Sequence, residues 1–171
     1  NTAGKSQVAV GDSALYSQTL NGQGLYNNAA VGSKALFYNT TGYSNAAFGN
    51  QALYKNTTGS QNTATGYRAL SGNTTGIFNT ANGYMALPNN DGGYGNTAVG
   101  HSTLYSSITG SNNTAVGYAA LYTNSRGYNN VAIGFQPMYK NETGYDNIAI
   151  GTAAMYSSDY SFQNVSIGAN S

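Results

Sequence analysis

Nine glycines spaced 17 residues apart, Gly32, Gly49, Gly66, Gly83, Gly100, Gly117, Gly134, Gly151 and Gly168, constrain this chain more than any other feature. Equal intervals without an insertion imply equal structural units stacked in a line, because a fixed short period dictates a repeat architecture before local propensity is weighed. An earlier mark, Gly11, stands 21 residues before Gly32, so four extra residues enter between Ser17 and Tyr26. The chain therefore divides into an irregular first coil over 1–27 and regular coils over 28–171. The insertion belongs in a loop, where added length costs little.

Around each glycine the side chains fall into columns. Asn stands four residues before it at positions 28, 45, 62, 79, 96, 113, 130, 147 and 164, with Gln7 in the first copy. Ala30, Ala47, Ala64, Ala81, Ala98, Ala115, Ala132 and Ala149 stand two before it, ending at Ser166. On either side of the alanines come mostly β-branched or small residues, as in Thr114 and Val116 or Val131 and Ile133, with Phe48 and Asn82 as exceptions. Alternate residues of a strand point to opposite faces, so one face is alanine and the other is mostly Val, Ile or Thr.

Four residues past the glycine runs Leu15, Leu36, Leu53, Leu70, Leu87, Leu104, Leu121, Met138 and Met155. Five past it runs an aromatic column, Tyr16, Phe37, Tyr54, Tyr105, Tyr122, Tyr139 and Tyr156, interrupted by Ser71 and Pro88. Each unit thus reads as two short strands about a glycine corner. The rest is turn material such as Asn39-Thr40-Thr41-Gly42 and Asn141-Glu142-Thr143-Gly144, in which Asn tolerates left-handed backbone and Gly adopts positive φ freely. Helix is a poor alternative, given the dominance of Gly, Thr, Asn and Tyr and the lack of any 3.6-residue apolar stripe.

A single unit of this size cannot bury its few apolar groups, so neighbouring coils must cover them. The expected fold is all-β, a parallel β-solenoid or β-roll of about ten 17-residue coils, forming a rod on the order of 45 to 50 Å long. Like residues then overlie one another, and the column holding Asn96, Asn113, Asn130 and Asn147 is placed to form an amide ladder along the axis. Such a rod is thin and leaves tyrosines and an alternating apolar face outside. Lateral association into an obligate homo-oligomer with closed cyclic symmetry would cover them.

The copies Asn-Val-Ala-Ile-Gly (130–134), Asn-Ile-Ala-Ile-Gly (147–151) and Asn-Val-Ser-Ile-Gly (164–168) resemble the head repeat of trimeric autotransporter adhesins. The fuller unit, Asn-Thr-Ala-Val-Gly-Tyr-Ala-Ala-Leu-Tyr and its Thr/Ser-rich turn, is similar to repeats of bacterial surface fibres and of phage tail fibres carrying an endosialidase-type chaperone. The resemblance spans residues 7–168 and implies a left-handed roll assembled as a homotrimer. The adhesin repeat is shorter, which implies a longer outer loop or a wider coil here.

Composition narrows the chemistry. Only 6% of the 171 residues are charged and the net charge is +1, with the cations scattered singly, so no basic stripe exists for nucleic acid or anionic lipid. Cysteine is absent, which removes disulfides and thiolate metal sites. No apolar run approaches the roughly 20 residues of a membrane span, and Asn1 opens without a charged-then-apolar leader, as expected of a mature segment or a piece anchored from outside itself.

Catalysis finds little support. His101, the single histidine, occupies the column position of Tyr67, Tyr84 and Tyr118, as a surface residue would. Asp12, Asp91, Glu142, Asp146 and Asp159 lie in different units and form no paired carboxylates. Gly22-Gln23-Gly24 lacks the third glycine and helix of a dinucleotide loop, and Asp91-Gly92-Gly93-Tyr94-Gly95 is a single copy of what a calcium β-roll repeats. The sequons at Asn39, Asn56, Asn73, Asn112, Asn141 and Asn164 follow from the repeat chemistry. No enzyme, cofactor or metal is expected.

What the tyrosines do is the open functional question. Sixteen tyrosines in a chain without tryptophan either pack between coils and chains or offer aromatic faces to sugars or a protein partner. Tyr105, Tyr122, Tyr139 and Tyr156 are the candidate contacts. The expected function is a non-enzymatic structural and adhesive segment of an extracellular homotrimeric fibre on a cell surface or virion tail, giving rigid reach and contacting surface glycans or proteins. A self-assembling extracellular filament or sheath subunit is the alternative. An ice-binding solenoid, suggested by Thr63, Thr80, Thr97 and Thr114, is the remaining one.

Overall fold

The computed structural model describes residues 6–19 and 26–171. Ten strands form one parallel sheet in chain order: β1 (Val8–Val10), β2 (Ala29–Val31), β3 (Ala46–Phe48), β4 (Thr63–Thr65), β5 (Thr80–Asn82), β6 (Thr97–Val99), β7 (Thr114–Tyr118), β8 (Val131–Phe135), β9 (Ile148–Ile150) and β10 (Val165–Ile167). Each strand pairs with the same positions of the next coil, Ala98 with Ala115 and Gly117 with Gly134 among them. One period of sequence therefore equals one strand spacing, and the chain is a β-solenoid. Ten coils at roughly 4.8 Å each make a rod on the order of 45 Å long. Ser17 and Thr19 donate their amides to Phe37 and Thr40 and hold their coil positions, whereas the four-residue insertion expected between Ser17 and Tyr26 lies outside the described residues.

The expected second strand of each coil is a correction. From Gly32 to Tyr38, and at the same positions of the later coils, the chain makes consecutive turns. Lys34 and Leu36 have φ of 57° and 51°, and the pattern recurs at Gln51 and Leu53 and at Ala119 and Leu121. A leucine in the left-handed region costs about 1–2 kcal/mol. Burial of its side chain returns about 1.5–3 kcal/mol, and Leu36 through Leu121, with Met138, are fully buried. The turned wall still bonds coil to coil, with Leu36 N donating to Ala52 O and Tyr38 N to Tyr54 O.

The apolar half of the interior consists of the strand alanines, the Leu/Met column and a further alanine column, Ala35, Ala52, Ala69, Ala86, Ala120 and Ala154. Three small or medium groups per coil fill a cross-section too narrow for aromatics, which explains why the rings stand outside.

Asparagine fills the other half. In the column four before the glycine, each Oδ1 accepts from the next coil's Asn: Asn130 donates its backbone N–H to Asn113 Oδ1 at 3.0 Å and its Nδ2 at 3.1 Å. The expected ladder is present. A second one corrects the turn assignment: Asn39, Asn56, Asn73 and Asn90 are fully buried, and Asn56 Nδ2 donates to Asn39 Oδ1 at 2.6 Å and Asn73 Nδ2 to Asn56 Oδ1 at 2.7 Å. Both ladders converge on one carbonyl per coil, as where Asn62 and Asn73 donate to Gly76 O at 2.8 and 3.1 Å. Burial also removes Asn39, Asn56, Asn73 and Asn141 as accessible glycosylation positions in the folded coil.

The two glycine columns are glycine for different reasons. Gly117 has a φ of 126°, and a Cβ there would collide with Gly134 O. Gly76 does not have positive φ, contrary to the turn argument: a Cβ there would strike Asn73 Oδ1 and Gly93 O, so close approach of the ladder demands glycine.

Candidate functional site

With the interior consumed by packing and amide ladders, function is left to the outside, which carries two kinds of ordered surface. The first is the outer face of the sheet. Residues flanking each strand alanine point outward, and none is charged in any of the ten strands. Phe48, Ile133, Ile148 and Ile150 are each at least one-third exposed, and Val165 and Ile167 reach 69%. In the middle of the rod the same face is Thr63, Thr65, Thr80 and Asn82. Thr63, Thr80, Thr97 and Thr114 do stand in register there, within a face that is apolar on both sides of them.

The second surface is aromatic. Tyr105, Tyr122, Tyr139 and Tyr156 stack with centroids 4.9, 4.9 and 5.3 Å apart and planes within 5°. That separation is the coil rise itself, so regular stacking of the chain places the rings in contact. The three contacts cover the faces between the rings, so apart from the end faces at Tyr105 and Tyr156 the run presents a line of edges and hydroxyls. Burial, and then the neighbouring tyrosine hydroxyls of Tyr139, Tyr105 and Tyr118, push the Tyr122 hydroxyl above its ordinary value. The adjacent Tyr38 is the chief cause that raises the Tyr54 hydroxyl above its ordinary value.

A further column also stacks: Tyr67, Tyr84, His101, Tyr118 and Phe135 lie face to face at 4.9 to 5.3 Å. His101 sits between Tyr84 and Tyr118, where its register placed it, and acts there as one more flat ring. Tyr128, Tyr145 and Phe162 make a shorter third stack. The signal for both is aromatics 17 apart, diluted by coils with other residues at those positions, Asn50 and Thr152 at the ends of the first and Ser60, Ile77 and Ser111 within the second column.

Among the described residues no three His, Asp or Glu side chains converge as a metal site would require, and no helix is long and apolar enough to cross a membrane. Asp91 belongs to a turn: its carbonyl accepts the amides of Thr74, Thr75 and Gly76, and its carboxylate accepts the Thr74 hydroxyl. Comparison with protein-family models, curated proteins and solved structures finds no match to the chain.

Proposed function

We propose that this chain is a non-enzymatic segment of an extracellular homotrimeric fibre, a stiff spacer that holds a binding tip away from a cell or virion surface and makes adhesive contacts along its flank. The observation that carries the reading is the uncharged outer sheet face, continuous over ten strands and apolar through β8, β9 and β10. A strip of exposed Val and Ile of that length marks an association surface. Three rods turning this face to a common axis cover one another, and cyclic symmetry closes the assembly. The resemblance of residues 7–168 to adhesin and tail-fibre repeats supports the number three, the left-handed winding and the extracellular setting. The unbroken amide ladder from Asn28 to Asn164 supplies the stiffness such a spacer requires, because bending the rod would break its hydrogen bonds.

The test places charge on the face. The double variant Ile133→Lys, Ile150→Lys keeps its coil interior and is expected to run as a monomer with unchanged β circular dichroism. An oligomer that tolerates both lysines would overturn the assignment of this face.

A further inference from the structure

The aromatic column breaks once. Between Tyr54 and Tyr105 stand Ser71 and Pro88, which separates those two rings by three coil spacings, roughly 15 Å. Tyr54 touches Phe37 in a tilted contact and Tyr38 edge-on, at 5.6 and 5.1 Å between centroids. It also lines a cavity of about 110 Å³ together with Lys55, Arg68, Ser71, Pro88 and Asn89. Gly72, beside Ser71, adds no side chain to fill it, and a Cβ there would meet Pro88 O at 2.6 Å.

An intact part of the rod shows what the notch lacks. Lys140 lies over the Tyr156 ring, Nζ 5.9 Å from its centroid. Lys55 holds the same coil position as Lys140, and the residue corresponding to Tyr156 is Ser71. One position of the column, with Tyr54 one coil away and a lysine beside it, is therefore built without a ring of its own.

The lining chooses among rings. Both charged groups, Lys55 and Arg68, are cations, and no carboxylate lines the cavity. Ser71 spends its hydroxyl hydrogen on Pro88 O at 3.3 Å, and Asn89 Nδ2 donates to Tyr105 O at 2.8 Å. Ser71 Oγ and Asn89 Oδ1 thus offer lone pairs, which suit a ligand rich in hydroxyl donors. A flat aromatic acid would use the tyrosine face and the cations and waste these acceptors. A sugar ring uses all of them, its C–H face on Tyr54 and its hydroxyls on Ser71 and Asn89.

We infer that the break in the aromatic column at Ser71 and Pro88 is a binding site for a pyranose ring bearing a carboxylate, stacked on Tyr54 and held by Arg68 and Lys55. The site deepens the adhesive part of the proposed function, and it does not depend on the trimer, because one chain supplies every lining residue.

Titration of the intact protein with D-glucuronate, D-glucose and benzoate, read by saturation-transfer NMR, tests it. Glucuronate is expected to bind with a dissociation constant on the order of 1 mM. Glucose and benzoate should each bind at least about tenfold more weakly, for want of the charge-assisted contacts and of the hydroxyls respectively. Ser71→Tyr, which restores the residue found at this position in other coils, should abolish glucuronate binding, and exposed Arg68→Gln should reduce it to the level of glucose. Glucose or benzoate binding as tightly as glucuronate, full binding by S71Y or R68Q, or no glucuronate signal would each overturn the site. A monomer that binds glucuronate would keep the site and overturn the fibre assembly, and a trimer that ignores glucuronate would do the reverse.

Discussion

Asn113 gives one side-chain oxygen to two donors of Asn130, the backbone N–H and the side-chain amide, while its own Nδ2 donates to Gly127 O at 2.8 Å. The fully buried amide thus stitches three segments of two coils, and it is repeated along the rod. Truncating it strands buried donors and an acceptor at once. Asn113→Ala is expected to destabilise the protein by about 3 kcal/mol, seen as a lower chemical-denaturation midpoint. Asn164→Ala, at an exposed rung, should cost less than about 1 kcal/mol.

The second ladder is imperfect, and its fault is correctable. Ser107 and Ser158 replace asparagine, and Asn90 Oδ1, Ser107 Oγ, Asn141 Oδ1 and Ser158 Oγ are buried without a hydrogen-bond partner. A shorter side chain at 107 cannot reach the carbonyl oxygen one coil below. Ser107→Asn restores donors to Asn90 Oδ1 and Gly110 O and is expected to raise stability by about 1–2 kcal/mol. Thermal melting beside the parent protein checks the sign, and a lower melting temperature would contradict the ladder geometry.

Gly76→Ala tests why the second glycine column is glycine. Its φ suits alanine, so a purely conformational account predicts little change or a small gain. The packing account predicts a loss of about 3 kcal/mol or more, because the new methyl would displace Asn73 and the Gly93 carbonyl. Denaturant titration separates the two.

Much of this architecture was legible in the sequence, and the illegible parts share a cause. The strand triplets announce themselves because alanine alternates with β-branched residues about every register glycine, and Leu53, Leu70, Leu87, Leu104 and Leu121 are core residues as their column implied. The left-handed turn at those leucines could not be read, since leucine disfavours that backbone and only stacked neighbours make it worthwhile. Asn56 looked like a turn residue because the same amide serves a turn or a ladder equally well; coil closure alone brings it over Asn39. The aromatic column is plain in the sequence, but that stacking hides the ring faces between Tyr105 and Tyr156 emerges only from the coil rise.

The stacked tyrosines tie stability to alkaline pH. Tyr122 has its hydroxyl pushed up, first by burial and then by neighbouring tyrosines, so the folded state holds this proton more tightly than the unfolded chain does. That contribution is complete below the ordinary tyrosine pKa near 10 and is lost as pH rises through the folded value. Tyrosinate absorbance should show a component ionising later than a free tyrosine, diminished in Tyr122→Phe by the share of Tyr122. Ionisation of every tyrosine together near the ordinary value would contradict the stack.

The central claim, a coil stack whose uncharged sheet face is hidden by sister copies, is tested most directly by the mass of the purified protein in light scattering at micromolar concentration. The account predicts three times the 17.7 kDa chain, unchanged on dilution through that range. A stable particle of one chain's mass would contradict it.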